Sequence, residues 1–151
     1  METNLTMDLS DLIHDTLHTG DINLKSYSPL VLAYIGDCIY ELVIRQMVIS
    51  QGNRSVQQLH KDSSYYAQAS TQSLMMRGLQ ELLTEEEHTI YRRGRNARSV
   101  TAAKNQSITD YRRATGFEAV MGYLYLGHQH KRMLELIEIG MKYLQEKSKE
   151  E

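Results

Sequence analysis

The sequence has a single proline, a single cysteine, a single phenylalanine and no tryptophan. With so little proline and with abundant Leu, Met, Gln, Glu, Lys and Arg, the composition favours helices over strands. The lone Cys38 excludes an intrachain disulfide and suits a reducing compartment, and its apolar surroundings predict a small buried side chain. No apolar run reaches the roughly 18 residues of a membrane span, and the acidic N-terminus is unlike a signal peptide. We therefore predict an all-α, cytoplasmic protein with no membrane partner.

Length and charge indicate how the chain is divided. A chain of 151 residues fits one folded domain with a single core. Residues 1–24 contain five acidic side chains and no Lys or Arg. We therefore expect residues 1–25 to form an acidic extension, either as a short helix or as a mobile arm. The domain is placed at residues 26–147, followed by a charged tail at 148–151.

Helix start and stop signals are frequent within the domain. Ser28 and Pro29 fit a cap and a first helical position, and a helix that begins there would end near Gly52. Ser55 and Thr84 are each followed three residues later by Gln or Glu, the spacing of a capping box. The predicted helices lie at about 29–49, from 56 to 82 as one helix or two, from 85 onward, at about 109–127 and across 133–144.

Basic residues are concentrated in one region, although the net charge is only −2. Residues 89–117 contain seven basic side chains and one acid, Asp110. Within this region Arg92–Ser107 lacks an apolar face and is rich in Gly, Asn and Ser, which predicts a loop. Such a surface is either solvated or binds the phosphates of a nucleic acid. The candidate binding residues are Arg92, Arg93, Arg95, Asn96, Arg98, Lys104, Arg112 and Arg113.

The apolar stretch LVLAYIGDCIYELV, residues 30–43, contains two carboxylates one helical turn apart, Asp37 and Glu41. Glu41 can pair with Arg45, a contribution of about 0.2–0.5 kcal/mol on an exposed helix face. Two neighbouring carboxylates also repel each other, and a divalent cation would relieve the repulsion. Gly36 costs roughly 0.8–1 kcal/mol in a helix, which indicates a close approach there by another group, such as an ion, its waters or a nucleic-acid backbone.

A third carboxylate, Glu118, lies in the apolar segment GFEAVMGYLYL. Its neighbours one turn away in a helix carry no charge, so no local cation is available to it. The side chain therefore points to solvent at the helix edge or is buried and paired across the fold. For the buried alternative, the partner is either an arginine or a metal ion held jointly with Asp37.

The histidines indicate no further metal site. None of the six shows HExxH-type or paired ligand spacing. His128 and His130, beside Lys131 and Arg132, are expected to be surface residues at a helix junction.

The two acidic segments resemble the two sequence motifs of the ribonuclease III family. In LAYIGDCIYE, Gly36 and Asp37 fall at the glycine and aspartate of the first motif, and in GFEAVMGYLYL Glu118 falls at the glutamate of the second. TEEEHTIYRRGRNARS and KNQSITDYRRATGFEA resemble the Mini-ribonuclease III branch, a short form without the double-stranded-RNA-binding domain. The resemblance covers about residues 28–145 and implies the helical catalytic domain of ribonuclease III for residues 26–147.

The resemblance implies a homodimeric endonuclease that hydrolyses double-stranded RNA with Mg²⁺, for which Mn²⁺ can substitute, and leaves 5′-phosphate ends. It assigns catalysis and metal binding to Asp37 and Glu118. For the bacterial branch it implies maturation of precursor large-subunit (23S) ribosomal RNA, and the need for a large-subunit ribosomal protein stays open. Glu41 is either an outer-shell acceptor beside the ion or the partner of Arg45.

The sequence departs from the ordinary family pattern at two acidic positions. Ala33 and Thr115 stand where that pattern has a glutamate and an aspartate. Mini-ribonuclease III sequences resemble this chain in both losses, which leave the number of metal ions open. The alternative from another functional class is a non-catalytic RNA-binding or ribosome-associated homologue, against which the retention of Asp37 and Glu118 argues.

Tyr34 occupies the position of an aromatic side chain that packs across the dimer interface of the family. Packing in the core of its own chain is the alternative.

Overall fold

The computed structural model describes residues 8–97 and 107–150. In these ranges the chain forms seven α-helices and one short 3-10 helix without any β-strand, which confirms the all-α prediction. No helix in the same ranges is long and apolar enough to cross a membrane. The elements are α1 (Leu9–Leu17), a 3-10 helix (Leu24–Ser26), α2 (Pro29–Ser50), α3 (Val56–Ala67), α4 (Ala69–Leu79), α5 (Glu85–Asn96), α6 (Ile108–Leu126) and α7 (His130–Lys149).

Three helices, α2, α3 and α5, begin where capping residues predicted them. The hydroxyls of Ser28 and Ser55 each accept a hydrogen bond from the backbone N–H three residues later, at 3.2 Å in both cases. Thr84 and Glu87 form a reciprocal capping box at the start of α5. The segment left open as one helix or two is two helices, because Gln68 between α3 and α4 adopts an extended backbone conformation.

Helix α6 lies at the centre of the domain and packs against α2, α4, α5 and α7. Every residue from Ala114 to Leu124 is buried except Glu118, which is half-buried. The ring of Phe117 meets that of Tyr40 on α2 edge to face, with the centroids 5.2 Å apart. Such an arrangement contributes about 0.5–1.5 kcal/mol beyond the burial of apolar surface. One carboxylate is thus set into the most buried helix of the fold.

Helices α2 and α6 cross with their backbones in contact, at a pair of glycines. A Cβ atom added to Gly36 would lie 1.8 Å from the carbonyl oxygen of Glu118, and one added to Gly122 would lie 1.9 Å from that of Leu32. Either side chain would force the helices apart. The close approach predicted at Gly36 is therefore made by the α6 backbone, and the expectation of an ion or an RNA backbone at this glycine is wrong.

Helix α5 continues through Asn96, so the prediction of a loop beginning at Arg92 is wrong for residues 92–96. The missing apolar face is supplied by the fully buried Tyr91 and by Gly94. A Cβ atom on Gly94 would lie 2.9 Å from the Cα of Gly116 on α6. A glycine at a helix contact is not counted as an apolar residue. The apolar periodicity of the sequence therefore did not predict that α5 continues past Gly94. Residues 98–106 of the predicted loop, which include Arg98 and Lys104, lie outside the described residues.

Cys38 is exposed, which contradicts the prediction that it is a small buried side chain. Helix α2 is apolar around most of its circumference, but only one side of it packs against the core. Cys38 lies on the other side, close to Tyr34, and the apolar sequence around it does not distinguish the two sides.

Candidate active site

The crossing of α2 and α6 brings the side chains of Asp37 and Glu118 into contact. Burial of Glu118 raises the pKa of its carboxyl group to about 8, and the negative charge of Asp37 and a hydrogen bond between the two side chains contribute in the same direction. Asp37 itself is exposed at the surface of α2. Two carboxyl groups this close cannot both be ionised without a cation, so Glu118 retains a proton near neutral pH.

Gln72 on α4 is a third polar residue of this site, and it was not predicted from the sequence. Its side chain is only 1% exposed, and among the described residues its amide nitrogen Nε2 has no hydrogen-bond partner of good geometry. The amide nevertheless lies close enough to Glu118 to lower the pKa of that carboxyl group. Nothing in the segment ASTQSLMMRG distinguishes this glutamine, since only its burial beside a carboxylate indicates a role.

Glu41, the second carboxylate of α2, is paired with Arg45. Their atoms Oε1 and Nη2 are 2.9 Å apart, and both side chains are partly exposed. The charge of Glu41 still raises the pKa of Glu118, although less than Asp37 does. Glu41 thus makes the surface pair that was one of its two predicted roles, while it remains near the acidic centre.

The donors at the centre fit a hard divalent cation. Asp37 and Glu118 offer carboxylate oxygens, the ligand type that Mg²⁺ prefers. The five largest influences on the pKa of Glu118 include none from a Lys, Arg or His side chain of the described residues. The charge that would let both carboxyl groups ionise must therefore come from outside these parts of the chain. Asp37 and Glu118 are the two residues that would hold an ion.

The predicted nucleic-acid-binding residues that the structure describes lie on α5 and α6. The guanidinium of Arg95 is 5.5 Å from the centre of the Tyr91 ring. Burial raises the pKa of the Tyr91 hydroxyl, whereas the charges of Arg95 and Arg113 lower it, so two cations from different helices converge at this ring. The remaining described candidates are exposed, namely Arg92, Arg93, Asn96 and Arg112.

Tyr34 points away from the core, with 81% of its surface exposed. Packing within the core of its own chain is therefore wrong. It belongs to a stripe of exposed apolar side chains on α2, beside Asp37, and this stripe consists of Leu30, Val31, Tyr34, Cys38 and Leu42. We call these five residues the α2 stripe.

Comparison with known proteins identifies the class of enzyme to which the chain belongs. The family model of the ribonuclease III domain matches residues 30–129, which include all of α6 and all of α2 except its first residue. The match and the helical fold show a ribonuclease III-type endoribonuclease, which is a hydrolase. Enzymes of this family generally depend on divalent metal ions, act on double-stranded RNA and commonly form dimers.

Relatives of known name identify the branch. The chain is 46% identical over 130 residues to Mini-ribonuclease 3 of Clostridium tetani, a match covering 85% of this chain and 86% of the relative. It is 48% identical over 115 residues to Mini-ribonuclease 3 of Enterococcus faecalis, covering 75% and 87%. A crystal structure of a Fusobacterium nucleatum protein superposes with a TM-score of 0.71 at 30% identity, over 80% of this chain and 96% of that one. The chain belongs to the Mini-ribonuclease 3 branch of the ribonuclease III family.

Proposed function

We propose that the protein cleaves double-stranded RNA with Mg²⁺ held by Asp37 and Glu118, and that Mn²⁺ can substitute. The observation that supports this most strongly is the pair of carboxyl groups at the helix crossing, where burial and the neighbouring Asp37 together raise the pKa of Glu118 to about 8. A divalent ion suits this site, because its positive charge would allow both carboxyl groups to be ionised side by side. Bound Mg²⁺ supplies Lewis-acid chemistry there, since it makes water a stronger nucleophile and stabilises negative charge that develops on a phosphate.

The residues of the chain have distinct tasks in this proposal. Asp37 is exposed and can meet both ion and substrate, whereas Glu118 is anchored in the central helix and holds the site in place. Gln72 supplies an N–H dipole that favours the ionised form of Glu118. Hydrolysis that cleaves the bond from the phosphorus to the 3′ oxygen leaves a 5′-phosphate on one product and a 3′-hydroxyl on the other.

Basic side chains near the site would hold the RNA. Arg112 and Arg113 precede Glu118 on the same helix by six and five residues, which corresponds to about 9 and 8 Å along the helix axis. Arg95 joins Arg113 at the ring of Tyr91. A-form RNA is recognised largely through its phosphates and 2′-hydroxyls, so such a surface can bind a duplex with little reading of its sequence.

The α2 stripe supports a homodimer. Tyr34 is exposed among other apolar side chains, and aromatic residues are enriched at protein interfaces. In a two-fold dimer the same stripe of each subunit would meet its copy, which would place two acidic centres on one RNA duplex. Each centre would then cut one strand.

The substrate we propose is precursor 23S ribosomal RNA in the cytoplasm. This part rests on the resemblance to the Mini-ribonuclease III branch, and a large-subunit ribosomal protein that shapes the substrate fits the same role.

Cleavage assays with the purified full chain test the proposal. We expect wild-type protein with Mg²⁺ to cut a precursor 23S duplex and leave 5′-phosphate ends. Asp37→Asn should lower the rate constant at least about 10³-fold, because it removes charge at the reacting centre. The variant should still sediment as a dimer and bind RNA, with an affinity that falls steeply as salt rises.

Glu118→Gln and Glu138→Gln form a matched pair of variants, since Glu138 is exposed on α7. The first should lose activity and the second should retain it. If the wild-type protein bound duplex RNA but did not cleave it at any concentration, the protein would be the non-catalytic homologue. Near-normal activity of Asp37→Asn would contradict the assigned site.

A further inference from the structure

A second group of ligating side chains lies where α1 approaches the junction of α6 and α7. Asp8, His128 and His130 each place one ligand atom within 4.8 Å of the other two. Oδ2 of Asp8 is 3.1 Å from Nδ1 of His130 and 3.8 Å from Nδ1 of His128. Asp11, in the first turn of α1, adds a carboxylate oxygen 3.6 Å from Nδ1 of His128. None of these residues belongs to the site at Asp37 and Glu118.

The ring of His130 is fixed in its orientation. It stacks on the ring of Tyr125, with the centroids 5.3 Å apart and the planes at 17°. Its Nε2 is 3.2 Å from the backbone carbonyl oxygen of Tyr125. A carbonyl oxygen can only accept, so Nε2 must carry the proton, and in the neutral ring the lone pair is on Nδ1.

This tautomer creates an electrostatic requirement at Asp8. The lone pair on Nδ1 of His130 and the carboxylate oxygen of Asp8 are both acceptors, and they face each other at 3.1 Å. Two acceptors at this distance repel each other unless a cation lies between them. The cation is either a proton on Nδ1 or a metal ion.

His128 makes the metal ion the better fit. Two residues apart on a regular helix, its side chain and that of His130 would not face the same point. His128 instead has a left-handed backbone conformation, with φ of 59°, at the turn between α6 and α7. This turn directs both imidazoles to one carboxylate. Protons would join each imidazole to Asp8 separately, whereas one metal ion can bind all three ligands at once.

We propose that Asp8, His128 and His130 bind a divalent transition-metal ion, for which Zn²⁺ is the best match. Zn²⁺ takes imidazole nitrogen and carboxylate oxygen at about 2.0–2.2 Å, and a tetrahedral site with these bonds separates its ligands by about 3.3–3.5 Å. The observed separations of 3.1 and 3.8 Å lie on either side of this value. The hydrogen bond from His130 to the Tyr125 carbonyl is the outer-shell support typical of a metal-binding histidine. Asp11 or water completes the coordination.

Metal binding would fasten α1 to the folded domain. Helix α1 buries none of its own residues, so apolar packing does little to hold it. Asp8 is the N-cap of α1, where its Oδ1 accepts a hydrogen bond of 2.9 Å from the N–H of Asp11. Its Oδ2 is the oxygen that faces the histidines. One carboxylate thus starts the helix and binds the ion, and the site couples the acidic extension to the α6–α7 junction.

The test uses untagged full-length protein with excess Mg²⁺, which occupies the all-oxygen site. Competition with a chromophoric chelator should give one Zn²⁺ per chain, and Co²⁺ should show the visible absorption of a tetrahedral site. Hydrogen exchange of the α1 amides should slow at least tenfold when Zn²⁺ is added. These readouts do not involve RNA cleavage, so failure here is distinguishable from failure of the proposed function.

Three variants locate the ion. Asp8→Asn retains an N-cap side chain but lowers the charge of the ligand. His130→Gln retains a donor for the Tyr125 carbonyl but removes Nδ1. Each should weaken Zn²⁺ binding at least tenfold, whereas His60→Ala, at an exposed histidine of α3, should not change it. Equal affinity in all of them, absence of a tetrahedral Co²⁺ spectrum, or protection of α1 that depends on acid pH and not on metal would overturn the proposal.

Discussion

Glu87 and Glu118 are both shielded carboxylates in the same helical domain, but their neighbours differ. Glu87 is 3% exposed and receives hydrogen bonds from Arg132 through both of its oxygens, at 2.8 and 2.9 Å. It also completes the capping box of α5 with Thr84. Glu118 faces another carboxylate, Asp37, and the amide of Gln72.

The neighbours move the two pKa values in opposite directions. Burial would raise the pKa of Glu87, but hydrogen bonds from Arg132 and Thr84 hold it below the ordinary value. At Glu118, burial and Asp37 act together and raise the pKa to about 8. Burial of a carboxylate is therefore a poor guide to function, because Glu87 fastens α5 to α7. Burial without a cationic partner is the informative feature.

The largest effect is expected when Glu87 is made to resemble Glu118. Arg132→Ala leaves Glu87 buried without its cation and should lower the free energy of unfolding by about 3–5 kcal/mol. Denaturant unfolding measures this loss, and NMR titration should show that the pKa of Glu87 rises. Lys131→Ala, at the exposed neighbour, is the control and should change stability by less than about 0.5 kcal/mol. If Arg132→Ala lowered the free energy of unfolding by less than about 1 kcal/mol, Glu87 would not depend on its cationic partner, and the two glutamates would not differ in this respect.

A smaller effect is expected when Glu118 is relieved of its charge. Its pKa is higher in the folded protein than in the unfolded chain, so the folded state binds more protons between about pH 4.5 and 8. The stability of the metal-free protein should therefore fall as pH rises through this window. Glu118→Gln has no carboxyl group at this position, so it should not lose stability in this way. Its Tm should exceed that of wild type by about 2–5 °C at pH 8, and this difference in Tm should disappear by pH 4.5.

Thermal unfolding with and without metal checks the same variant. Saturating Mn²⁺ should raise the Tm of the wild-type protein more than that of Glu118→Gln, since only the wild type retains both ligands. A Tm difference that did not change with pH would show that Glu118 is already ionised in the metal-free fold.

The smallest effect is expected at Gln72, whose amide favours ionised Glu118. Gln72→Leu should raise the pH at which half of the molecules bind Mn²⁺ by about half a unit. Its stability without metal should change by less than about 1 kcal/mol, because the substitution also removes a buried amide without a good partner. Gln57→Leu, on an exposed position of α3, is the matched control. An unchanged Mn²⁺ profile in a well-folded Gln72→Leu would exclude this role.

The sequence was most informative where interactions are local. Ser28, Ser55 and Thr84 predicted helix starts because a cap contacts a backbone N–H only three residues away. It was less informative where two helices meet. The contact of Gly36 with the α6 backbone, the continuation of α5 past Gly94 and the exposure of Cys38 depend on which face of a helix finds a neighbour.

By itself, the sequence determined the all-α class, the family and the two acidic motifs, since these reside in composition, caps and short contiguous patterns. Only the tertiary structure decided which groups lie together. It placed Glu118 against Asp37, set Gln72 beside them, and joined Asp8 to His128 and His130 across most of the chain. Metal affinity and pKa depend on distances of a few ångströms between residues far apart in sequence, and packing alone sets those distances.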